Sequence, residues 1–144
     1  MNNVAPPKYG MGARVRRTED QALLTGRGHF TDDYEPEGTL HAYVLRSAMG
    51  HARITVGDLG AASGSPGVRL VMTNADLDGV KGLPCKGNIR QVDGSHPRMP
   101  EHPLLCKDVV RHVGDPIAFI VADTIEQAKD AADLIEVDYD PLPA

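Results

Sequence analysis

A chain of 144 residues fits one domain and could bury roughly 68–70% of its unfolded surface, enough for a core without staples. Hydrophobic residues make up 41% and charged residues 24%, an ordinary balance for a soluble globular protein, while 15 Gly and 11 Pro promise many turns. An aromatic share of 4% with no Trp argues against a stacking platform for single-stranded nucleic acid, and a net charge of -5 argues against holding a phosphate backbone.

Residues 1–13 are rich in Gly, Pro and Asn and read as a loose arm. Thr18-Glu19-Asp20-Gln21 is a capping box that predicts a first helix of about seven residues, with Leu23 and Leu24 as its apolar face and Gly26 at its left-handed exit. Leu40 to Ser47 predicts a strand, with Leu40, Ala42 and Val44 on one face and His41, Tyr43 and Leu45 on the other. A second extended run, His51 to Val56, follows Met49-Gly50, and the two are expected to pair as a hairpin. Asp58 is expected to cap a weak helical turn through Ala61 and Ala62, ended by Ser65-Pro66-Gly67. Val68 to Thr73 predicts a strand with Val68, Leu70 and Met72 alternating, after which Asn74 is expected to cap one turn at Ala75-Asp76-Leu77.

From Asp78 to Lys107 the chain carries eight Gly or Pro residues and little periodicity, a loop long enough to be functional or ordered by a partner. Val109 to His112 then begins a closing unit. Gly114-Asp115-Pro116 reads as a turn, and Ile117 to Ala122 as a strand buried on both faces. Thr124-Ile125-Glu126-Gln127 is a second capping box, and Ile125, Ala128, Ala131, Ala132 and Ile135 form a narrow helical stripe of mostly small residues suited to close packing on a sheet. A strand from Glu136 leads to Pro141-Leu142-Pro143-Ala144, where two prolines favour an extended exit and place an expected domain boundary at Ala144. Strand, helix and strand together predict an α+β domain without internal repeats.

Candidate sites are sparse. Thr25-Gly26-Arg27-Gly28 and Gly10-Met11-Gly12 could cradle a phosphate, but neither has the spacing of a dinucleotide or P-loop motif, and turns explain them. Cys85, His96, His102 and Cys106 carry zinc-type donors at unfamiliar spacing, and without short ligand pairs they read as independent loop residues in a reducing compartment, neither zinc site nor disulfide. His41, His51 and His112 are general-base candidates beside apolar strands, where a hydrogen-bonded structural histidine is commoner. Asp32-Asp33 and Glu136, Asp138 and Asp140 read as solvated charges in preference to a cation site. No catalytic, cofactor-binding or metal-binding residue is assigned. No run approaches the ~20 apolar residues of a membrane span. Arg16-Arg17 lacks the apolar region of an export signal, so the cytoplasm is expected.

The ordered pieces carry a resemblance. Arg17 to Asp33, read RTEDQALLTGRGHFTDD, resembles the opening of the molybdenum-binding large subunit of the xanthine dehydrogenase, aldehyde oxidase and carbon monoxide dehydrogenase family. Gly38 to Ala42 through Arg46-Ser47 with His51 to Ile54, Pro66 to Val68 through Thr73 to Leu77, and Val110 to Ala118 through Val137 to Ala144 match in the same order. The resemblance implies an N-terminal α/β-hammerhead domain over 14–144, an α+β fold with small mixed sheets and two or three short helices. The stretch from Asp78 to Lys107 departs from the family pattern.

The family hydroxylates a small organic molecule with oxygen from water, or oxidises carbon monoxide, at molybdopterin-bound molybdenum. The molybdopterin (dinucleotide) belongs to later domains of the same subunit, and iron-sulfur clusters and FAD to partner subunits or domains. The resemblance thus implies a scaffold domain, inactive alone, whose partners are those cofactor domains, with no nucleic acid or membrane partner. Surface meant to be covered should be apolar, so the isolated chain is expected to self-associate. The rival expectations are a stand-alone interaction module that retains the hammerhead fold without catalysis, and a small metal-binding protein built on Cys85, His96, His102 and Cys106.

Overall fold

A computed structural model describes residues 10–11, 17–84, 87, 89–97, 99 and 102–143. The chain divides into two compact units, Met1–Gly38 and Thr39–Ala144. All but Gly10 and Met11 of the arm expected over 1–13 lies outside the described residues. In the first unit the helix α1, Asp20–Leu24, is five residues long. Its cap is Glu19 in a helical conformation with no side-chain hydrogen bond, not Thr18. The Asp20 N–H bonds Arg17 C=O, so a turn over 17–20 feeds the helix and moves its start. Neither leucine is buried within this unit, Leu24 being 87% exposed. The exit is as expected. Gly26 takes φ +68, and the N–H groups of Gly26 and Arg27 reach back to the Leu23 and Ala22 carbonyls in a Schellman arrangement.

Among its described residues the second unit is α+β, with six strands, two α-helices and two three-stranded sheets. The strands are β1 (His41–Arg46), β2 (Ala52–Val56), β3 (Val68–Met72), β4 (Val109–Val110), β5 (Pro116–Ala122) and β6 (Val137–Pro141). One sheet runs β1-β5-β3 and the other β4-β2-β6, with every pairing antiparallel.

The hairpin expected between β1 and β2 does not form, because each strand joins a different sheet. Their patterns explain the separation. β1 has apolar residues on both faces and suits the neighbour of a buried strand, whereas β2 buries Ala52 and Ile54 and exposes Arg53 and Thr55. Ser47 makes the crossing, its hydroxyl bonding the Met49 N–H and C=O at 3.0 and 2.9 Å.

The alternation expected in β3 is broken by a bulge between Val68 and Leu70. The extra residue, Arg69, shifts the parity. Val68 and Val71 pack toward the helical side, while Leu70, 42% exposed, and Met72 belong to the opposite face. Arg69 itself pairs in bidentate fashion with Asp123 at 2.8 and 2.9 Å.

Helix α2 (Gly60–Ser63) starts from Leu59 and not from the expected cap Asp58. The turn over Asn74–Leu77 is capped one residue earlier than expected, where the Thr73 N–H bonds the Asp76 carboxylate at 2.8 Å. Asn74 instead donates to the Leu105 carbonyl at 2.8 Å, pinning the base of the long loop. That loop closes on itself through the Leu83 N–H to His102 C=O bond.

Helix α3 (Ile125–Asp133) forms with the full Thr124/Gln127 capping box. Its buried Ala128, Ala131 and Ala132 lie against Ala118, Ile120 and Ala122 of β5 and Ala62 of α2. The opposite parity of β5 sends Ile117 into a second cluster with Ala52, Ile54, Cys106 and Val110. β5 therefore contributes to both cores, but burial on both faces, expected from its apolar run, is not complete: on the side away from α3 only Ile117 is buried, and Phe119 and Val121 are half-buried. Among the described residues no helix is long and apolar enough to cross a membrane.

Between β4 and β5 sits a buried carboxylate. Asp115, 4% exposed, accepts the Arg111 and His112 N–H groups on Oδ2 at 2.6 and 3.2 Å and faces His112 Nε2 with Oδ1 at 3.0 Å. Its own C=O receives the Ser47 N–H, and the Ser47 C=O receives the Gly114 N–H, both at 2.8 Å.

Asp115→Ala, by stranding buried donors, is expected to cost about 1–3 kcal/mol, and Asp115→Asn, which keeps one acceptor oxygen, less. Urea unfolding checks the order. An alanine variant as stable as the parent would show that the carboxylate is dispensable. Ala131→Leu, which forces volume between α3 and β5, is expected to cost about 1–3 kcal/mol in the same assay.

Candidate functional site

The side of the β1-β5-β3 sheet away from α3 is where the structure leaves apolar surface uncovered. Register brings Val44 of β1 and Met72 of β3 to either side of Phe119 on β5. With Leu77, Leu104 and Leu105 these side chains line a hollow of about 320 Å³. Arg46 also lines it, its Nη1 donating to the Gly114 carbonyl at 2.9 Å. Apolar walls with one anchored cation suit contact with another polypeptide and contain no proton-transfer pair.

The residues singled out in sequence take structural positions. Gly26 is a helix exit, and Gly12 lies outside the described residues. Asp33 caps its own turn by accepting the Phe30 N–H at 2.7 Å. Asp138 and Asp140 are exposed on β6, opposite Thr55 and Arg53 of β2, and the Glu136 carbonyl receives the Gly57 N–H. His41 opens β1 opposite Ala122. His51 Nδ1 lies 2.6 Å from the Pro143 carbonyl, and the Leu142 N–H bonds the His51 carbonyl, so the proline-rich exit runs beside the start of β2.

Of the four zinc-type residues, Cys85 lies outside the described residues and His96 is exposed. His102 stands edge-on to His112 with ring centroids 6.3 Å apart, and Cys106 is buried with a free thiol. Among the described residues no group of three or more His, Cys, Asp or Glu side chains could hold a metal ion.

Sequence reasoning missed the Asp115 junction and the hollow. Gly-Asp-Pro signals a turn, but nothing local says that its carboxylate is buried. The hollow needs the register of three strands far apart in the chain.

Burial, and next the nearby Asp115 charge, push the Cys106 thiol up from 9.0 to about 11. Because the folded value is raised, the stability this thiol contributes is intact below about 9 and is lost as pH rises through about 11. At pH 8, N-ethylmaleimide followed by peptide mapping is expected to leave Cys106 unlabelled in the folded chain and to label it in urea. Equal labelling in both states would contradict its burial.

The comparisons with known proteins agree on one family. A family model described as "Aldehyde oxidase and xanthine dehydrogenase, a/b hammerhead domain" matches residues 25–143. The nicotine 6-hydroxylase large subunit of Paenarthrobacter nicotinovorans is 44% identical over 132 residues, covering 92% of this chain and 16% of that protein. The carbon monoxide dehydrogenase large chain of Afipia carboxidovorans is 35% identical over 137 residues, covering 93% of this chain and 16% of that protein. Quinoline 2-oxidoreductase from Pseudomonas putida 86 superposes with a TM-score of 0.77 at 42% identity, over 90% of this chain and 16% of that one. This chain thus spans about 16% of the length of these relatives. With the two small sheets and the helix-backed β5 in place, the chain belongs to the aldehyde oxidase and xanthine dehydrogenase family, as its a/b hammerhead domain.

Proposed function

We propose that this chain, over 14–144, is the scaffold domain of a molybdenum hydroxylase large subunit, packing against the cofactor domains of the same subunit in the cytoplasm. The parent protein oxidises or hydroxylates a small organic molecule, or carbon monoxide, with water at molybdopterin. Iron-sulfur clusters and FAD on partner domains or subunits receive the electrons. The observation that carries this reading is the hammerhead-domain match across residues 25–143, together with relatives of which this chain covers only about 16%.

The described residues offer molybdopterin no fitting cradle. They hold no metal-binding cluster, and the Gly26 amide is spent on closing a helix. We assign no step of the chemistry to this chain. Its contribution is shape: β5, covered by α3 on one face, presents an apolar opposite face for a neighbour to cover.

Expressed alone, the chain is expected to reduce no dye acceptor with an aldehyde or purine, whereas the whole large subunit with its partners does and contains molybdenum. Turnover by the isolated chain would overturn the assignment. Its uncovered face is also expected to drive self-association, read by light scattering as a mass above 15.5 kDa that grows with concentration. Leu70→Lys, on the same face, should reduce that association. A clean monomer that binds no hydrophobic dye would show that the face does not need covering.

A further inference from the structure

Asp-Gly occurs twice in this chain, at Asp78-Gly79 and at Asp93-Gly94, and both pairs are exposed. In such a pair the glycine nitrogen can attack the preceding side-chain carboxyl, because no Cβ screens it. The two dipeptides are chemically alike, and the fold sets them at different positions in a turn.

Leu77 to Val80 is a turn closed by the Val80 N–H on the Leu77 carbonyl at 3.0 Å. Asp78, with φ -59 and ψ 130, and Gly79, with φ +75, occupy its two corners as in a type II turn. A turn of this kind spends the amide of its last residue and leaves the one between its corners free. Among the described residues the Gly79 N–H and the Asp78 carboxylate accordingly have no hydrogen-bond partner. A Cβ added at Gly79 would meet nothing within 4 Å, so the space around it is open. Bringing the carboxyl to the nitrogen rotates ψ of Asp78 out of the turn, which opens only the Val80 bond.

Gln91 to Gly94 is also a turn, but here the glycine comes last. Its N–H is the closing donor, on the Gln91 carbonyl at 2.9 Å. Asp93 Oδ1 accepts the Ser95 N–H at 2.9 Å and the Ser95 hydroxyl at 2.6 Å. The hydroxyl, and next the N–H, hold this carboxyl below the usual carboxylate range, and the ionised form is the poorer target for a nucleophile. The Gln91 N–H on the Ser95 carbonyl at 3.0 Å straps the loop shut.

We infer that Asp78 is a site of spontaneous isoaspartate formation, and that Asp93, with the same neighbour in sequence, is protected by its turn. The Gly79 nitrogen bonds to Asp78 Cγ and loses its proton, and one carboxyl oxygen leaves as water, closing a succinimide. A second water opens that ring. Opening at the former main-chain carbonyl leaves Asp78 joined to Gly79 through its side chain, with a free α-carboxylate and one extra methylene in the backbone. No redox partner is needed, and the lengthened bond lies next to Leu77, which lines the apolar hollow.

The test incubates the whole protein, purified with any partners it keeps, at neutral pH. Peptides are mapped by mass spectrometry with fragmentation that separates isoaspartyl from aspartyl linkages, beside a sample in urea, where neither turn exists and each dipeptide reports its intrinsic rate. In the folded protein Asp78 is expected to convert within about threefold of its urea rate, and Asp93 about tenfold or more below its own, because several bonds must open first. Ser95→Ala, which removes the hydroxyl bond, should speed conversion at Asp93. Asp78→Glu, whose longer side chain does not close this ring, should abolish the signal there. Equal slowing at both positions, greater slowing at Asp78, or a folded protein in which Asp78 does not convert would overturn the assignment.

Discussion

The Asp115 carboxylate sits where two of the five connections between the sheets meet. A buried carboxylate is costly unless its lone pairs are filled, and here two backbone N–H groups and an imidazole nitrogen fill them. The chain leaves β4 in one sheet and enters β5 in the other within a few residues, and Asp115 closes that passage. A second passage between sheets, from β1 to β2, is latched to the same spot by Ser47. One side chain and two backbone bonds thus hold two of the five crossings between the sheets.

From that junction β5 runs as the central member of its sheet, and small side chains decide how closely the rest approaches. Alanines on β5, α2 and α3 allow backbone-close packing, so a nine-residue helix can cover the sheet without large side chains. The same economy explains the composition. Of the two Phe, Phe119 stands on the uncovered face between Val44 and Met72.

That distribution connects structure to role. The helical side of the sheet is finished and the opposite side is left apolar, a pattern suited to a domain whose stability is completed by neighbours. The long segment between the Asn74 turn and β4 is held at its base by Asn74, Leu105 and Cys106.

What the sequence determined by itself was local or linear. The Thr124/Gln127 box, the Gly26 exit, the alanine stripe and the continuous apolar run of β5 depend on residues within about one or two helical turns of each other. Family membership depends on the order of pieces along the chain, which is linear too. Tertiary structure decided which sheet each strand joins, since β1 pairs with β5 more than 60 positions away and not with its neighbour β2. It also decided the parity of β3, because a bulge is a property of two strands and not one. The same holds for Asp115 and the apolar hollow. Burial of that carboxylate and alignment of Val44, Phe119 and Met72 arise only when distant segments share a register, and no periodicity within one segment encodes that.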